Sequence, residues 1–418
     1  MSINPATVAA AVAIASKSVT VHRLSRSAPS GPPGYSPLTT HHPPPTTHHS
    51  HLPSSVFRLK SYFDAAMGAI ITGTGIAVPD QVVTNQDLTR IMDTSDDWIT
   101  SRTGVRERRF VEEGVGSAEL GVQAAREAMA AAAIQPDQVD ALVTATMTPD
   151  YLAPGISALV QHGLGLPAVA AFDLRQQCSG FLYALDLADS LIGSGRAETV
   201  VLVGTEVHGG FLPWGASFDV ATGRANREAT PAERERNTRF RSWSVLFGDG
   251  AGAMVMRRGG EQTGVLATSL HTDGGQFNLI HVPGVGFRRR PYVDHGQLDG
   301  ELHLPIMDGA GLYRQAVRLM PEAVREVAKA VGVEVDEIDL VVAHQANDRI
   351  LEGVRKQLGM TQEKVPSNIA RYGNTTAATL PLLFHELRQA GKVKPGMLVC
   401  FTSFGAGAHW GAVLYREP

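Results

Sequence analysis

The chain has 418 residues, of which 19% are charged and 43% are hydrophobic, and its formal net charge is -4. That length is sufficient for two ordinary domains or for one large α/β unit with a sizeable core. The near-neutral charge balance argues against nucleic acid as the main partner, and no run of 18 apolar residues is present to cross a membrane. Only two cysteines occur, Cys178 and Cys400, which excludes a disulfide scaffold and a four-thiolate zinc site.

The first 66 residues differ in composition from the rest of the chain. They contain six of the 15 histidines, nine of the 24 prolines and a single acidic residue, Asp64. A Pro/Ser/Thr/His tract such as residues 27–55 buries too little apolar surface to offset its chain entropy. We therefore expect residues 1–66 to be disordered, or to be a mis-assigned extension that precedes a true start at Met67. A targeting segment remains the alternative.

From Met67 onward, strand patterns alternate with helix patterns. Residues 69–79 predict a buried strand that ends in a glycine turn, and Pro79 stands where a dinucleotide fingerprint would need a helix. The elements predicted next are a helix near 117–133, a strand at 141–145, a helix near 155–162, a strand at 168–173, a helix at about 178–192 and a strand at 199–203. This alternation favours a layered and largely parallel sheet.

An internal repeat indicates that the region consists of two similar halves. Segments 126–127 and 139–140 precede the strand at 141–145, and matching segments stand 199 residues later, before a strand at 340–343. A second echo relates the glycine-rich run that follows Phe247 to the run that follows Phe404. We expect an N-terminal half at 67–257, with a charged insertion at about 208–240, and a C-terminal half at 258–418.

Cys178 is the candidate nucleophile. It joins an apolar strand to an alanine-rich helix, between the polar residues Gln177 and Ser179. A cysteine at a helix N-terminus lies near unpaired N–H groups and the positive end of the helix dipole, which favour the thiolate. Cys400 stands inside an apolar strand, where a buried and unreactive thiol is expected.

Two polar residues of the second half are candidate partners of this nucleophile. His344 stands where the repeat has Ala145 in the first half, a difference that indicates function, although His344 could instead cap the next helix. Asn374 lies in a Gly-Asn-Thr turn before an apolar helix, roughly at the elbow that Cys178 occupies in the first half. An asparagine in such a turn is otherwise only a helix cap.

The sequence resembles the β-ketoacyl-acyl-carrier-protein synthase III family, which consists of condensing enzymes of the thiolase superfamily. The resemblance spans about residue 67 to the C-terminus. The motifs that carry it are Asp93 to Arg108 (DTSDDWITSRTGVRER), Cys178-Ser-Gly-Phe, Gly248-Asp-Gly-Ala-Gly-Ala, His344-Gln-Ala-Asn, Gly373-Asn-Thr and Ser403-Phe-Gly-Ala-Gly.

The resemblance implies an α/β thiolase-like fold, in which two duplicated αβαβα halves form a five-layered core. It implies a Cys178–His344–Asn374 triad, and an oxyanion hole made of the backbone N–H groups of Cys178 and Ala406. It further implies a cytoplasmic homodimer that starts fatty acid synthesis from an acyl-CoA primer and malonyl-acyl carrier protein, without metal or redox cofactor. The binding residues that it implies are Trp98, Arg102 and Arg241 for coenzyme A, Arg349 for the carrier protein, and Ala153 and Phe404 for the acyl pocket.

Three departures from the family pattern bear on specificity. The insertion at about 208–240 predicts either a lid or a disordered loop beside the coenzyme A entrance. Ala153 replaces a bulky residue, which predicts a larger acyl pocket. Ala406 replaces a glycine and keeps its N–H for the oxyanion unless the position requires a positive φ. These departures leave a condensing enzyme of secondary metabolism as the alternative, and a non-catalytic acyl-binding relative as a more distant one.

Overall fold

A computed structural model describes residues 68–418, so the predictions for residues 1–66 and for a start at Met67 lie outside the described residues. The strands in the described part are β1 (Ala69–Ala77), β2 (Val82–Thr84), β3 (Glu107–Arg109), β4 (Ala141–Ala145), β5 (Ala170–Leu174), β6 (Thr199–Glu206), β7 (Gly250–Arg258), β8 (Gly264–Thr272), β9 (Ile280–His281), β10 (Ile306–Met307), β11 (Leu340–Ala343), β12 (Leu398–Gly405) and β13 (His409–Arg416).

The α-helices in the same residues are α1 (Asn85–Leu88), α2 (Asp96–Thr103), α3 (Ser117–Ala131), α4 (Ser157–Leu164), α5 (Gly180–Gly193), α6 (Ser217–Ala221), α7 (Pro231–Ser244), α8 (His295–Asp299), α9 (Gly309–Val331), α10 (Asp348–Leu358), α11 (Ile369–Tyr372) and α12 (Thr379–Gln389). Across 68–418, none of these helices combines the length and the apolar composition that crossing a bilayer requires.

Two mixed sheets, one of five strands and one of four, arrange four of their strands in corresponding order. The first sheet runs β1-β7-β6-β4-β5 and the second runs β8-β13-β12-β11. Only the pairs β4–β5, β4–β6 and β11–β12 are parallel, whereas β7 and β13 pair antiparallel with both of their neighbours. The predicted parallel arrangement therefore holds for β4, β5 and β6, but it is wrong for β7 and β13. The reason is visible at β12 and β13, where three intervening residues allow only a chain reversal and not a parallel crossover.

The helices and sheets form five layers. Apolar residues of α5 and α12 fill the space between the two sheets, where Phe181 and Phe384 are fully buried. Helices α3 and α4 cover the outer face of the first sheet, and α9 and α10 cover the outer face of the second. Each sheet is thus buried on both faces, which explains why β4, β6 and β12 are buried along their whole length.

The 199-residue offset of the sequence repeat recurs in the structure. It relates the starts of β4 and β11, of β6 and β12, and of two short 3₁₀ turns, Gln177–Ser179 and Thr376–Ala378. The residue at the start of each turn, Gln177 or Thr376, has a positive φ of 49° or 43°. On this basis we propose that residues 67–257 and 258–418 are duplicated halves.

The charged insertion at about 208–240 is folded, which contradicts the expectation of a disordered loop. Its helix α7 begins at a capping box in which Thr230 accepts from the Glu233 N–H and Glu233 accepts from the Thr230 N–H. Trp214 and Trp243 anchor the segment in an aromatic core. Arg236 and Arg239 of α7 both form ion pairs with Glu301, in the loop between α8 and β10.

Candidate active site

Cys178 lies on a sharp elbow between β5 and α5. Gln177, the residue before it, adopts the left-handed conformation, which places Cys178 at the reversal itself. The hydroxyl of the following residue, Ser179, accepts a hydrogen bond from Ser403 Oγ (3.0 Å) and donates to the His409 carbonyl (3.0 Å). These two hydrogen bonds hold the elbow beside Cys178, which is itself half-buried.

The surroundings of Cys178 favour the neutral thiol in the free protein. Burial raises the pKa of Cys178 to about 12, and the nearby Glu206 carboxylate adds to this effect. The backbone N–H of Cys178 acts in the opposite direction but is the weakest of the three causes. The thiolate expected from the helix N-terminus is therefore not the resting form, because burial outweighs the helix terminus.

We predict that alkylation of Cys178 by iodoacetamide becomes about tenfold faster for each pH unit between pH 7 and pH 9. The thiolate is the reacting species, and its fraction increases tenfold per unit below a pKa of about 12. Mass spectrometry of the intact protein measures the rate. Cys178→Ser should take up no label, because Cys400 is fully buried. A rate that levels off near pH 7 would show that the free thiol ionises much more easily.

His344 follows β11 and is almost completely buried. Its backbone N–H donates to the Thr402 carbonyl (2.9 Å), and its Nδ1 lies 2.7 Å from Thr379 Oγ1 at the start of α12. Its Nε2 is buried and has no hydrogen-bond partner among residues 68–418. Burial lowers the pKa of His344 to about 3, so the imidazole is neutral. The helix-cap alternative is wrong, because the side chain of Asn347 caps α10.

Hydrogen bonds of the backbone and of the side-chain oxygen hold Asn374 in place. Its N–H donates to the Leu246 carbonyl (2.7 Å) and its carbonyl accepts from Gly248 N–H (3.3 Å). Its Oδ1 accepts from the Thr376 N–H at 2.8 Å. This bond fixes the amide plane and leaves the NH₂ group as the part of Asn374 that can donate to a ligand.

The two elbows of the repeat pack against each other, and both Asn374 and His344 are hydrogen-bonded to residues in or directly after the second elbow. Gly180 begins α5, and a Cβ there would lie 3.0 Å from the Cβ of Ala145 and 3.8 Å from that of Ala377. By the 199-residue offset, Ala377 is the counterpart of Cys178. Asn374, expected roughly at this elbow, stands three residues before Ala377 and is bonded to the first residue of the turn, Thr376.

Glu206, at the end of β6, links the second elbow to the loop that follows β4. This fully buried carboxylate accepts hydrogen bonds from the Ala377 N–H (3.3 Å) of the second elbow and from Met147 N–H and Thr148 N–H of the first half. Thr146 Oγ1 and Thr148 Oγ1 also donate to it. Its charge adds to burial in disfavouring the Cys178 thiolate.

The glycine loop between β12 and β13 lies against the Cys178 elbow. A Cβ on Gly405 would lie 2.9 Å from both the Gln176 carbonyl oxygen and the Ser179 nitrogen, so only glycine allows this approach. The NH₂ of Gln177, in the orientation that satisfies it, donates to the Ala406 carbonyl at 3.1 Å. Gly407 has a φ of +140°, whereas Ala406 is not among the positive-φ residues, so an alanine fits there without strain.

The predicted coenzyme A residues lie together. The guanidinium carbons of Arg102 and Arg241 lie 4.6 and 4.7 Å from the centre of the Trp98 ring. Arg241 comes from the end of α7 and also pairs with Asp93. The end of α7 therefore places one of these cations on Trp98.

Arg349 lines a surface cavity of about 720 Å³ in which positive charge predominates. Arg102, Arg314 and Lys356 line the same cavity, against a single acidic side chain, Glu352. Sequence reasoning missed Arg314 and Lys356. Arg314 lies on α9, 35 residues before Arg349, and only the contact between α9 and α10 brings the two together.

Ala153 and Phe404, the residues predicted for the acyl pocket, lie in different surroundings. Phe404 is buried in the core between β12 and α9, whereas Ala153 is exposed in the loop after β4. Their joint contribution to one pocket stays a prediction. In the described range 68–418, no group of three or more His, Cys, Asp or Glu side chains has an arrangement that could hold a metal ion.

Known proteins resemble this chain over most of its length. Sequence profiles of 3-oxoacyl-[acyl-carrier-protein] synthase III match residues 172–222 and 232–274, and the profile of its C-terminal part matches residues 328–417. The β-ketoacyl-[acyl-carrier-protein] synthase III of Aquifex aeolicus is 40% identical over 350 residues, which cover 84% of this chain and 100% of the relative.

Solved structures give the same result. The crystal structure of 3-oxoacyl-(acyl carrier protein) synthase III from Pseudomonas aeruginosa is 37% identical, with a TM-score of 0.71 over 84% of this chain and 98% of that one. The priming β-ketosynthase of the R1128 polyketide pathway is 29% identical, with a TM-score of 0.71 over 84% and 98% of the two chains. The predicted thiolase-like fold is confirmed. The chain therefore belongs to the β-ketoacyl-[acyl-carrier-protein] synthase III family of acyltransferases.

Proposed function

We propose that this acyltransferase condenses an acyl-CoA primer with malonyl-acyl carrier protein through an acyl-Cys178 intermediate, and so starts fatty acid synthesis. The observation that supports the proposal is the packing of the two elbows, in which Gly180 of the Cys178 elbow approaches Ala377, two residues before the Thr379 that contacts His344. Both proposed substrates are intracellular thioesters, so we place the reaction in the cytoplasm.

In the first step, Cys178 Sγ attacks the carbonyl carbon of the acyl-CoA. The backbone N–H groups of Cys178 and Ala406 donate to the oxygen, which becomes negative in the tetrahedral intermediate. The C–S bond to coenzyme A then breaks, and the proton of the Cys178 thiol leaves with the coenzyme A sulfur. Because the free thiol is neutral, its deprotonation belongs to this step and not to the resting protein.

In the second step, malonyl-carrier protein loses CO₂. The electron pair of the broken C–C bond moves onto the thioester oxygen, where His344 Nε2–H and the Asn374 NH₂ donate hydrogen bonds. These donors are aligned before the charge develops, so they stabilise the enolate more than the neutral thioester. A neutral His344, which the low pKa ensures, serves as a donor and not as a proton source.

In the third step, the enolate carbon attacks the carbonyl of acyl-Cys178. The new C–C bond forms, the Cys178 thiolate leaves, and it recovers a proton from solvent. The product is a β-ketoacyl thioester on the carrier protein. Neither an electron acceptor nor a Lewis acid enters this balance, so we propose that the reaction uses no cofactor.

We propose that coenzyme A binds at Trp98, Arg102 and Arg241, and that the acidic carrier protein docks at the cavity of Arg349. The cationic lining of that cavity supports the second assignment, because charge complementarity steers association. Its position supports it too, since Asn347 at the start of α10 donates to the Arg102 carbonyl at 3.0 Å and so joins the cavity to the Trp98 helix, α2.

Arg349→Glu should raise the KM for malonyl-carrier protein about tenfold and leave the acylation of Cys178 by acyl-CoA unchanged within about twofold, because it places a like charge opposite an acidic partner. Steady-state kinetics at two salt concentrations measure the effect, which should shrink at high salt. Lys392→Glu, an exposed charge reversal that does not line the cavity, is the control. An equal rise in KM for both variants would contradict docking at Arg349.

We also propose a homodimer formed through β5. This strand pairs with β4 on one side only, and Ala170 and Ala171 on it are exposed. Tyr151 and Leu152, in the loop that follows β4, are 60% and 55% exposed. An exposed apolar edge strand is prone to pairing, and a second copy covers it with the same surface.

Light scattering should give the mass of two chains, and Leu152→Glu should shift the measured mass toward that of one chain.

A condensing enzyme of secondary metabolism is the alternative, and the likeness to a priming β-ketosynthase of a polyketide pathway favours it. The experiment that separates the two functions supplies a panel of acyl-CoAs with malonyl-carrier protein and follows the products by mass spectrometry. Condensation of acetyl-CoA or a short branched primer supports fatty acid initiation. Turnover of long primers alone supports the alternative, and no acyl adduct on Cys178 contradicts both.

A further inference from the structure

The Thr379 hydroxyl is the only hydrogen-bond partner of the His344 ring among residues 68–418. Thr379 is buried at the first position of α12, and its Oγ1 lies 2.7 Å from Nδ1 of His344. The other ring nitrogen, Nε2, is buried without a partner. Because burial keeps the imidazole neutral, a single proton is shared between these two nitrogens, and Thr379 faces one of them.

The direction of this one hydrogen bond decides which ring nitrogen carries the proton. If Thr379 donates to Nδ1, the ring proton is on Nε2, and Nε2 can donate to a thioester oxygen. If Nδ1 donates to Thr379, Nε2 carries a lone pair that repels the same oxygen. The hydroxyl has one proton, and the second acceptor within its reach is the Thr376 carbonyl at 3.0 Å.

Two observations favour donation to His344. The Thr376 carbonyl already accepts the backbone N–H of Thr379, so it does not depend on the hydroxyl for a partner. The contact to His344 is also the shorter of the two, at 2.7 Å against 3.0 Å.

We propose that Thr379 is a positioning residue that donates its hydroxyl proton to His344 Nδ1 and thereby holds the ring in the Nε2–H tautomer. The inference rests on the proposed role of His344 as an enolate donor, and it adds the group that makes this role possible. Thr379 touches neither the primer nor the extender in this proposal. It acts through the tautomer and the orientation of His344.

The test separates the two half-reactions in Thr379→Val and Thr379→Ser. Valine has nearly the same shape but no hydroxyl, so decarboxylation of malonyl-carrier protein should fall about 10- to 100-fold, as is typical when the group that orients a histidine is removed. Acylation of Cys178 by acyl-CoA, followed by intact-protein mass spectrometry, should stay within about twofold. Serine keeps the hydroxyl and should restore decarboxylation to within about threefold of the wild type.

A direct readout is the ¹⁵N spectrum of the histidine-labelled protein, since protonated and unprotonated ring nitrogens resonate far apart. The His344 signal, assigned by its loss in His344→Ala, should show Nε2–H in the wild type and a shift toward the other tautomer in Thr379→Val. Thr74→Val is the matched control, because Thr74 Oγ1 contacts Nδ1 of another buried histidine, His385, at 3.1 Å. That variant should leave both half-reactions unchanged.

Three outcomes would overturn the proposal: wild-type decarboxylation in Thr379→Val, an Nδ1–H tautomer of His344 in the wild type, or an equal loss of both half-reactions in Thr379→Val. If the valine variant fails to fold, Thr379→Ala takes its place. A His344→Ala variant that decarboxylates like the wild type would instead overturn the proposed function, so the two failures are distinguishable.

Discussion

Cys178→Ala should abolish condensation, with a loss of at least about 10⁴-fold, and yet retain decarboxylation of malonyl-carrier protein within about tenfold of the wild type. The loss is large because no other nucleophile replaces the thiol that carries the acyl group. Decarboxylation persists because its proposed donors, His344 and Asn374, belong to the second half of the chain. The measurements are acyl transfer by intact-protein mass spectrometry and CO₂ release from the carrier thioester.

The second cysteine provides a matched control for this variant. Cys400 is fully buried in β12, and burial raises the pKa of its thiol far above the usual range. Cys400→Ala should therefore keep condensation within about twofold while it lowers stability slightly through the small cavity it leaves. If condensation survived in Cys178→Ala and were lost in Cys400→Ala, the nucleophile would be Cys400 and not Cys178.

Much of the site could be predicted from sequence because the repeat preserves spacing. The predicted strands at 141–145 and 340–343 match β4 and β11 at both ends, and the offset of 199 residues leads directly to His344 opposite Ala145. The elbow of Cys178 was also foreseeable, since an apolar strand, a short polar step and an alanine-rich helix follow one another. Local patterns of this kind are decided by neighbours in the chain.

Strand direction could not be read from the same patterns. A buried strand is apolar whether it is parallel or antiparallel to its neighbours, so β7 looked like any other strand of a parallel sheet. For β13, the three-residue loop after β12 indicates that the two strands are antiparallel. For β7, about forty residues separate it from β6, and only the tertiary pairing fixes its direction.

The predicted thiolate form of Cys178 is wrong for a related reason. The helix N-terminus is a local feature and was visible in the sequence, whereas the burial that raises the pKa and the charge of Glu206 come from distant parts of the chain. The contact between Thr379 and His344 could not be predicted for the same reason. It stands 35 residues after His344, and its hydroxyl gains meaning only when α12 packs beside the end of β11.

Substitutions of the two proposed enolate donors should have the opposite effect to Cys178→Ala: decarboxylation should fall while acylation of Cys178 persists. His344→Ala should lower decarboxylation about 10²- to 10³-fold, the usual cost of removing one donor from an oxyanion site, and leave acylation of Cys178 within about threefold. Asn374→Asp should lower decarboxylation further than Asn374→Ala does. Its carboxylate can still accept the Thr376 N–H, as Oδ1 of Asn374 does at 2.8 Å, but it replaces the NH₂ donor with a negative charge.

The comparison of aspartate with alanine distinguishes electrostatic stabilisation from mere positioning of the loop. If Asn374 only shaped the elbow through its bond to Thr376, aspartate would preserve that bond and retain more activity than alanine. If its NH₂ faces the developing enolate, aspartate places charge against charge and is the poorer of the two. CO₂ release by the single variants and by His344→Ala combined with Asn374→Ala measures this, and the double variant should lose less than the product of the single losses, because both donors serve one oxygen.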